Sequence, residues 1–326
     1  MKRIFYSGFL LMLLAGCSKE KAESSVSPDI TGRLNFVIED NLFNFSYFNA
    51  GLSRTPYRVT LTQPGPYTVL VPDNNAFVAA GYGNENAVLT ENATVLNNMI
   101  GYQIVSGTWE LNQLPFRFNQ ELTSVTGSKL YITRWVKNQD TVVTINGSRV
   151  LSYNMKASNG LIQAINTVLQ PLVHKTLSDA ISSDPQFTYL NAALQKADMK
   201  TQLEQETPYT VFAPVNSAFV AAGYATIQDI KQADAATLKK LLQYHLFGGR
   251  KFVYDYILAT GPTDKSEQAM LSGSNITVNL LKTGINYTGI TVKGIGNATV
   301  ASVTKPNVLA GNGVLHTINQ VLKENQ

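Results

Sequence analysis

The sequence is poor in the residue types that most often carry chemistry. Its 326 residues include one cysteine, three histidines and two tryptophans, and 15% of the residues are charged. A single cysteine excludes an internal disulfide. The 26 Lys and Arg residues against 22 Asp and Glu give a net charge of +4 without any basic run, which argues against a nucleic-acid groove. The 44% hydrophobic content is typical of a globular protein, and the length suits about two domains.

The first sixteen residues have the pattern of a signal peptide. Two basic residues precede a short apolar run over residues 4–14, which is too short to span a bilayer comfortably as a stable helix. The sequence LAGC then ends at Cys17, and small residues before a cysteine resemble a bacterial lipobox. The resemblance implies cleavage before Cys17, acylation of that residue and anchoring in a lipid bilayer. An ordinary secretory signal with a coincidental cysteine is the alternative.

The expected mature chain therefore begins at a lipidated residue. We expect a signal peptide over residues 1–16, and the lipidated cysteine with a polar tether over residues 17–32. Ser18 follows the cysteine, where an Asp would favour retention in the inner membrane. The sequence thus favours the outer membrane, on either its periplasmic or its surface-exposed face.

Most of the chain is one module used twice. YTVLVPDNNAFVAAGY at residues 67–82 and YTVFAPVNSAFVAAGY at residues 209–224 agree at twelve of sixteen positions, 142 positions apart. SNGLIQAINTVL at 158–169 and GNGVLHTINQVL at 311–322 form a second pair, 153 positions apart. The larger offset indicates about eleven extra residues in the second module, which we expect in or around 261–274, or within 294–313. A repeat of this kind indicates a tandem array.

Local patterns within each module indicate an α+β fold. A short β-branched strand ends at Pro72, because proline has no amide proton for a sheet. Asn74 and its counterpart Asn216 are expected to cap the helix that follows. Gly81 and Gly223 suit a left-handed helix terminus. The alternating patterns later in each module predict β-hairpins.

The repeated blocks resemble the fasciclin (FAS1) domain family. YTVFAPVNSAF at 209–219, LQYHL at 242–246 and NGVLHTI at 312–318 match its signature segments in the right order, and the first module carries the same set. The resemblance implies two tandem domains, 33–172 and 173–326, each a β-sandwich-like wedge flanked by helices. It also implies an adhesive or interaction function rather than catalysis.

The few histidines argue against a catalytic or metal site. In the repeat His245 aligns with Gln103, and His316 aligns with Gln163. Glutamine exchanges hydrogen bonds as histidine does, but it neither titrates near neutral pH nor binds zinc well. His174 has no cysteine or acidic cluster near it in sequence. Since nucleophile-elbow and phosphate-loop motifs are absent too, we expect no enzyme, no cofactor and no metal.

Candidate ligand contacts lie on a few aromatic and polar side chains. In animal fasciclin proteins the tyrosine–histidine segment is implicated in integrin binding, which by resemblance points to Tyr244 and His245, and to Tyr102 in the first module. An Asp-Ile pair of the family is replaced here by residues 154–155 and 307–308, where asparagine lacks the carboxylate that a metal site needs. Trp109 and Trp135 are candidate sugar contacts. For the tyrosines, packing in the core is the alternative.

The expected function is non-covalent recognition at the cell envelope. We expect a lipid-anchored adhesion or interaction protein that binds an extracellular protein or glycan, with no nucleic-acid partner. The alternative is a glycan-binding accessory lipoprotein of an outer-membrane nutrient-uptake system. We also expect the aromatic residues of 36–48 to fill the core of the first module. The junction at residues 170–173 is so short that movement between the modules should be restricted.

Overall fold

A computed structural model describes residues 31–325. The expected signal peptide, the lipidated Cys17 and most of the tether lie outside these residues. Module one contains helices α1 (Leu34–Glu39), α2 (Leu42–Ser53), α3 (Tyr57–Thr60), α4 (Asn74–Ala79), α5 (Glu85–Leu89) and α6 (Ala93–Tyr102). Its strands are β1 (Tyr67–Pro72), β2 (Ile104–Ser106), β3 (Arg117–Thr123), β4 (Lys129–Lys137), β5 (Asp140–Ile145), β6 (Ser148–Ala157) and β7 (Gly160–Ile165).

Module two repeats this order, except that a 3-10 helix, Thr201–Glu204, stands in place of α3 and that α12 is added. Its helices are α7 (Leu177–Ser183), α8 (Thr188–Lys196), α9 (Asn216–Ala221), α10 (Ile227–Gln232), α11 (Ala235–Gln243) and α12 (Val253–Ala259). Its strands are β8 (Tyr209–Pro214), β9 (Leu246–Gly248), β10 (Lys265–Ala269), β11 (Asn275–Thr283), β12 (Asn286–Gly294), β13 (Ala301–Ala310) and β14 (Gly313–Ile318). Both modules mix helices and strands, as the α+β prediction states.

Each module has one seven-stranded sheet that curls toward a barrel. The strand order is β2-β1-β7-β6-β5-β4-β3 in module one and β10-β11-β12-β13-β14-β8-β9 in module two. The pairs β1–β7 and β14–β8 are parallel, whereas the other neighbours are antiparallel. The amide of Val125 donates to Ile104 O at 2.8 Å, and Leu271 donates to Leu246 O at 2.8 Å. These bonds bring the two ends of each sheet together.

Bulges in β6 and β13 give the sheets their curvature. The register slips twice along the β6–β7 ladder and twice along β13–β14. Asn154 and Asn307 sit in these bulges with φ of 55° and 61°, in the left-handed region that asparagine tolerates better than most residues. Because a bulge bends a strand and increases its twist, the sheet folds back on itself at the same point in both modules.

The alternating side chains of the central strand divide each core in two. In β1, Val69 and Val71 pack against the helices, while Leu70 faces Ile132 and Ile145 on the far strands of the curled sheet. Successive side chains of a strand point to opposite faces, so one strand supplies both layers. The equivalent strand β8 of module two does the same with Val211 and Phe212.

The capping prediction for Asn74 and Asn216 is wrong, whereas that for the glycines is confirmed. Asp73 caps α4 by accepting from the amide of Ala76 at 2.7 Å, and Val215 at the same place makes no side-chain cap. Asn74 instead accepts from Tyr47 N at 3.2 Å, and so ties α4 to α2. The glycines after these helices, Gly81 and Gly223, have φ of 98° and 107°.

The extra residues of module two lie in two places. The seven-residue α12 stands where module one has a three-residue 3-10 helix, Leu111–Gln113. The nine-residue β12 and the loop that follows it replace the six-residue β5 and its tight turn at residues 146–147. The expectation for residues 294–313 is therefore correct in part. The other insertion is α12, which ends just before residue 261 and so lies around the segment 261–274, as expected.

The aromatic residues of 36–48 do not all enter the core. Phe45 and Phe48 are buried at 2% and 0% exposure, whereas Phe43 is 93% exposed at the start of α2. Phe45 has non-helical dihedrals inside α2, so Phe43 and Phe48 lie on opposite sides of a kink.

Candidate functional site

The two conserved tyrosines of the repeat occupy the interior. Tyr102 and Tyr244 are both 0% exposed. The hydroxyl of Tyr102 donates to Lys129 O at 2.8 Å and accepts from Asn146 at 2.9 Å. The hydroxyl of Tyr244 donates to Asn275 O at 2.7 Å. Desolvation raises the pKa of both phenols, so each hydroxyl stays protonated and holds the first residue of a hairpin strand.

His245 and Gln103 perform the same task in the two modules. His245 is 1% exposed, and its Nδ1–H donates to Leu241 O at 2.8 Å while Nε2 accepts from Leu322 N at 2.9 Å. Gln103 likewise donates to the carbonyl four residues before it and to Leu169 O. Burial lowers the pKa of His245 to about 4, which keeps the imidazole neutral. The side chain thus joins the end of a helix to the segment after the last strand.

His316 and Gln163 form a second matched pair beneath the bulges. His316 Nδ1 accepts from Asn307 N at 3.1 Å, and Nε2–H donates to Lys251 O at 2.9 Å. Gln163 accepts from Asn154 N at 3.0 Å and donates to Trp109 O at 3.0 Å. Burial lowers the pKa of His316 to about 4 as well. Both residues therefore hold the left-handed asparagine in the bulge.

The structure keeps the two tryptophans apart. Trp109 packs against the inner cluster of module one, and its Nε1–H donates to Ser106 O at 2.9 Å. Trp135 lies on β4 with its ring 4.7 Å from that of Phe118. Strand alternation places Trp135 on the face shared by Thr133 and Lys137, which is the outer face. Both tryptophans are half-buried.

Of the predicted site residues, Trp135 lies beside the junction of the two modules, whereas Tyr102, Tyr244 and His245 lie in the cores. Ligand contact by these side chains stays a prediction. His174 lies at the junction as well, where its carbonyl accepts from Gly311 N at 3.0 Å.

The added helix α12 makes the main contact between the modules. It packs against β4, whose outer-face side chains contact α12 one after another along the strand. The rings of Tyr131 and Phe252 lie 6.2 Å apart at the start of the helix. At its end, Lys137 Nζ donates to Thr260 O at 2.6 Å. Module one has a single 3-10 turn at this position, so the contact depends on an element that only module two carries.

A buried carboxylate lies in the middle of this contact. Asp255 is 1% exposed and accepts from Phe252 N at 2.8 Å within its own module. From module one it accepts the hydroxyl of Thr133 at 2.8 Å and the amide of Asn119 at 3.3 Å. Desolvation raises the pKa of Asp255 to about 6, against the lowering effect of these bonds and of Lys251. The junction thus carries a buried charge that both modules stabilise.

Two clefts flank the contact. One, of about 840 Å³, lies between the β3–β4 hairpin and the start of module two and includes Arg250, whose guanidinium lies 4.0 Å from the ring centre of Tyr131. The other, of about 500 Å³, lies between β5–β6 and α12. We name the second one the junction cleft. Its lining includes Lys137, Asp140, Arg149, Tyr153, Tyr254 and Tyr287.

One residue of the junction cleft, Arg149, differs from its counterpart in the repeat, but the sequence alone does not show why. Arg149 and Ser302 occupy the same place in the repeat, since each lies opposite a threonine of the neighbouring strand. A position at which the two copies differ can mark a role that only one copy has. The sequence does not reveal that role for Arg149, because its aromatic neighbour Tyr254 belongs to the other module.

Within residues 31–325, no group of three or more His, Cys, Asp or Glu residues is arranged to hold a metal ion. No helix in the same range is long and apolar enough to cross a membrane.

Comparison with known proteins identifies the family. The Fasciclin domain model matches residues 43–171 and 185–324. Transforming growth factor-beta-induced protein ig-h3 of Oryctolagus cuniculus is 25% identical over 266 residues, covering 81% of this chain and 36% of that protein. A fasciclin-like arabinogalactan protein of Arthroderma benhamiae is 26% identical over 298 residues, covering 86% of this chain and 64% of its own length.

A solved structure of a FAS1 domain pair from the insect cell adhesion molecule Fasciclin I covers 86% of this chain and 96% of its own, with a TM-score of 0.42 and 18% identity. The chain spans about a third of the length of the ig-h3 relatives that it matches. The family match covers both modules and most of the sequence. The chain is therefore a member of the fasciclin family, with two FAS1 domains in tandem.

Proposed function

We propose that the chain is a lipid-anchored adhesion or interaction protein of the cell envelope, which binds a surface, matrix or partner ligand without covalent chemistry. The observation that carries the proposal is the joining of two FAS1 domains through α12, which presents one composite surface. The Fasciclin model matches both domains, and membership of this family supports an adhesive role.

The internal comparison of the modules supports a role without catalysis. His245 and His316 have glutamine counterparts that hydrogen-bond to the corresponding segments of their own module. A general base or nucleophile would need a group that titrates or ionises at the working pH, and glutamine does neither. The histidines are thus accounted for by the hydrogen bonds that hold the fold.

Anchoring through acylated Cys17 is the part of the proposal that can be tested by itself. Cells that express the chain would be grown with labelled palmitate and separated into inner-membrane, outer-membrane and soluble fractions. We expect label on the wild-type chain in the outer-membrane fraction and none on a Cys17→Ser variant. Label that is absent from the wild type would refute the anchor while leaving the binding role open.

Adhesion itself would be measured with whole cells. Cells with and without the chain would be allowed to attach to surfaces coated with extracellular-matrix proteins, with glycans or with albumin. We expect the chain to increase attachment to at least one specific coating, and a chain whose α12 contact is weakened by Lys137→Met to increase it less. Equal attachment of both strains to every coating would contradict the adhesive role.

A second candidate function is a glycan-binding accessory role in nutrient uptake at the outer membrane. The junction cleft favours it, because three half-buried tyrosines line a concave site between two domains, where ligand sites commonly form. Growth on polysaccharides as the sole carbon source separates the two roles. Loss of the gene would slow growth on one polysaccharide under the uptake role, and would change attachment alone under the adhesive role.

A further inference from the structure

Arg149 on β6 has a side chain that the fold does not use. Its Nε is buried without a hydrogen-bond partner among the described residues, and no carboxylate of that range lies within ion-pair distance. Its guanidinium carbon lies 6.0 Å from the ring centre of Tyr254. A buried donor without an acceptor costs free energy, so stability of the fold does not account for the arginine.

The repeat shows that the fold does not require this arginine. Arg149 lies opposite Thr144 on the β5–β6 ladder, and Ser302 lies opposite Thr291 at the same point in module two. Both strands form the same bulged ladder with the last strand of the sheet. A serine therefore suffices for the strand, and the arginine needs another explanation.

The surroundings of Arg149 have the chemistry of a ligand site. The junction cleft has a volume of about 500 Å³, within the range of small-ligand pockets. Tyr153, Tyr254 and Tyr287 line it and are half-buried. Lys137 adds a second cation, whose ammonium lies 4.9 Å from the ring centre of Tyr287.

The charge balance of the junction cleft favours an anion. Its lining carries two cations, on Lys137 and Arg149, and one acid, Asp140. Asp264, just outside the lining, is already paired with Lys282 at 2.6 Å. Arginine binds carboxylates through two parallel hydrogen bonds, and Arg149 lines the cleft without an acid partner among the described residues.

We propose that the junction cleft binds an acidic saccharide, with Arg149 paired to a sugar carboxylate and the tyrosines packed against the sugar rings. This inference rests on the proposed function as a protein that recognises an external ligand. A sugar ring offers C–H faces that pack on aromatic rings and hydroxyl edges that suit the amide and hydroxyl groups of Asn138, Thr141 and Asn286 in the lining.

An acidic peptide fits the site less well. Extended peptides commonly bind by adding a strand to a free sheet edge. β5 pairs with β6 only at Thr144–Arg149 and Ile145–Ser148, so residues 140–143 keep one unpaired edge at the cleft. The saccharide is favoured because three tyrosine rings line the cleft, and binding of an acidic peptide along the open edge is one outcome of the test.

Isothermal titration of the complete chain in detergent would test the proposal. The probes are trigalacturonate, its methyl ester, which keeps the sugar rings but loses the charge, and triglutamate as an acidic peptide. We expect trigalacturonate to bind, and the ester and the peptide to bind at least tenfold more weakly. Failure of trigalacturonate to bind, equal binding of the ester, or stronger binding of triglutamate would each overturn the proposal.

Two variants assign the binding to Arg149 rather than to overall charge. Arg149→Ser introduces the residue that module two uses at this position, so it should fold, and we expect binding to weaken at least tenfold. Arg117→Ser removes one exposed positive charge elsewhere on module one and should change the affinity by less than twofold. Equal effects of the two substitutions would overturn the assignment to the cleft.

The attachment of cells that carry Arg149→Ser separates this inference from the proposed function. Attachment to matrix coatings that is independent of Arg149, together with an absence of saccharide binding, would refute the cleft and leave the adhesive role standing. Saccharide binding that needs Arg149, in cells that attach to nothing, would refute adhesion and leave the cleft standing.

Discussion

Thr133 of the first domain donates its hydroxyl to the carboxylate of Asp255 in the second domain at 2.8 Å. Both side chains are 1% exposed, so the bond crosses the domain boundary away from water. The carboxylate also accepts from the backbone amide of Phe252 at the start of α12. One side chain therefore holds both the beginning of the helix and the contact between the domains. An insertion in the second copy of the repeat has thereby become the element that joins the copies.

Loss of the hydroxyl should destabilise the chain more than loss of a similar hydroxyl nearby. Thr133→Val keeps the shape but removes a hydrogen bond to a buried charge, and we expect the free energy of unfolding to fall by about 2 kcal/mol. Thr144 is also 1% exposed, and its hydroxyl has no described partner. Thr144→Val should therefore be neutral or stabilising. Urea unfolding followed by fluorescence would compare them, and equal losses would contradict the role of Asp255.

The buried histidines should make the chain sensitive to acid. The pKa of His245 and that of His316 are lowered from 6.5 to about 4 in the folded chain, because burial penalises the charged form. Between those values the unfolded chain binds more protons than the folded chain. Stability is thus fully present above about pH 6.5 and falls as the pH is lowered toward 4, by up to about 1.4 kcal/mol per pH unit for each histidine.

The glutamines of the first domain provide the matched test. His245→Gln and His316→Gln place in the second domain the residue that its counterpart already uses. We expect the pH dependence of the urea midpoint between pH 7 and 5 to become shallower with each substitution. An unchanged slope in the double variant would show that the pKa of each imidazole is the same in the folded and the unfolded chain.

Asp255 should act in the opposite direction. Burial raises its pKa from 3.8 to about 6, so between those values the folded chain binds the extra proton, and this group favours the folded state at the acidic end. Its contribution is lost as the pH rises through 6. In the double histidine variant, Asp255→Asn should remove part of the remaining pH dependence, and calorimetric melting temperatures from pH 4 to 7 would show it.

Two kinds of glycine in the repeat should differ in how they tolerate a side chain. A Cβ on Gly160 would lie 1.9 Å from Tyr67 O, and one on Gly313 would lie 2.3 Å from Tyr209 O. Substitution by alanine there must displace the parallel central strands, which we expect to cost more than about 2 kcal/mol. Gly81 meets nothing within 4 Å but has φ of 98°. Gly81→Ala should therefore cost about 1 kcal/mol, from backbone strain alone. Equal melting temperatures for Gly160→Ala and Gly81→Ala would contradict the clash.

The repeat made the fold and the structural residues predictable. Strand alternation located the hairpins, and the exchange of His316 for Gln163 pointed to a hydrogen-bonding role that the structure shows in both copies. The capping prediction for Asn74 is wrong because its partner, the amide of Tyr47, lies 27 positions away in the sequence, beyond any local pattern. The surroundings of Arg149 were out of reach for a similar reason, since Tyr254 belongs to a helix of the other domain.

The contact through α12 should restrict movement between the domains, as the short junction at residues 170–173 also predicts. Asn119 and Lys137 of the first domain bind opposite ends of this contact, at Arg250 O and Thr260 O. The φ of Asn119 is 53°, so Asn119→Gly keeps the backbone, and Lys137→Met keeps the apolar stem of the side chain. We expect the double variant to sample wider separations, seen as a larger maximum dimension in small-angle X-ray scattering.

Asn138→Gly is the control for that measurement, because Asn138 has a similar φ of 52° in the exposed turn between β4 and β5. The control should scatter as the wild type does, since its side chain makes none of the contacts with α12 described above. If the wild type already tumbled as two independent domains, the double variant would match it, and the contact through Asp255 would then be too weak to hold the pair together in solution. A difference confined to the double variant would show that the composite surface depends on α12.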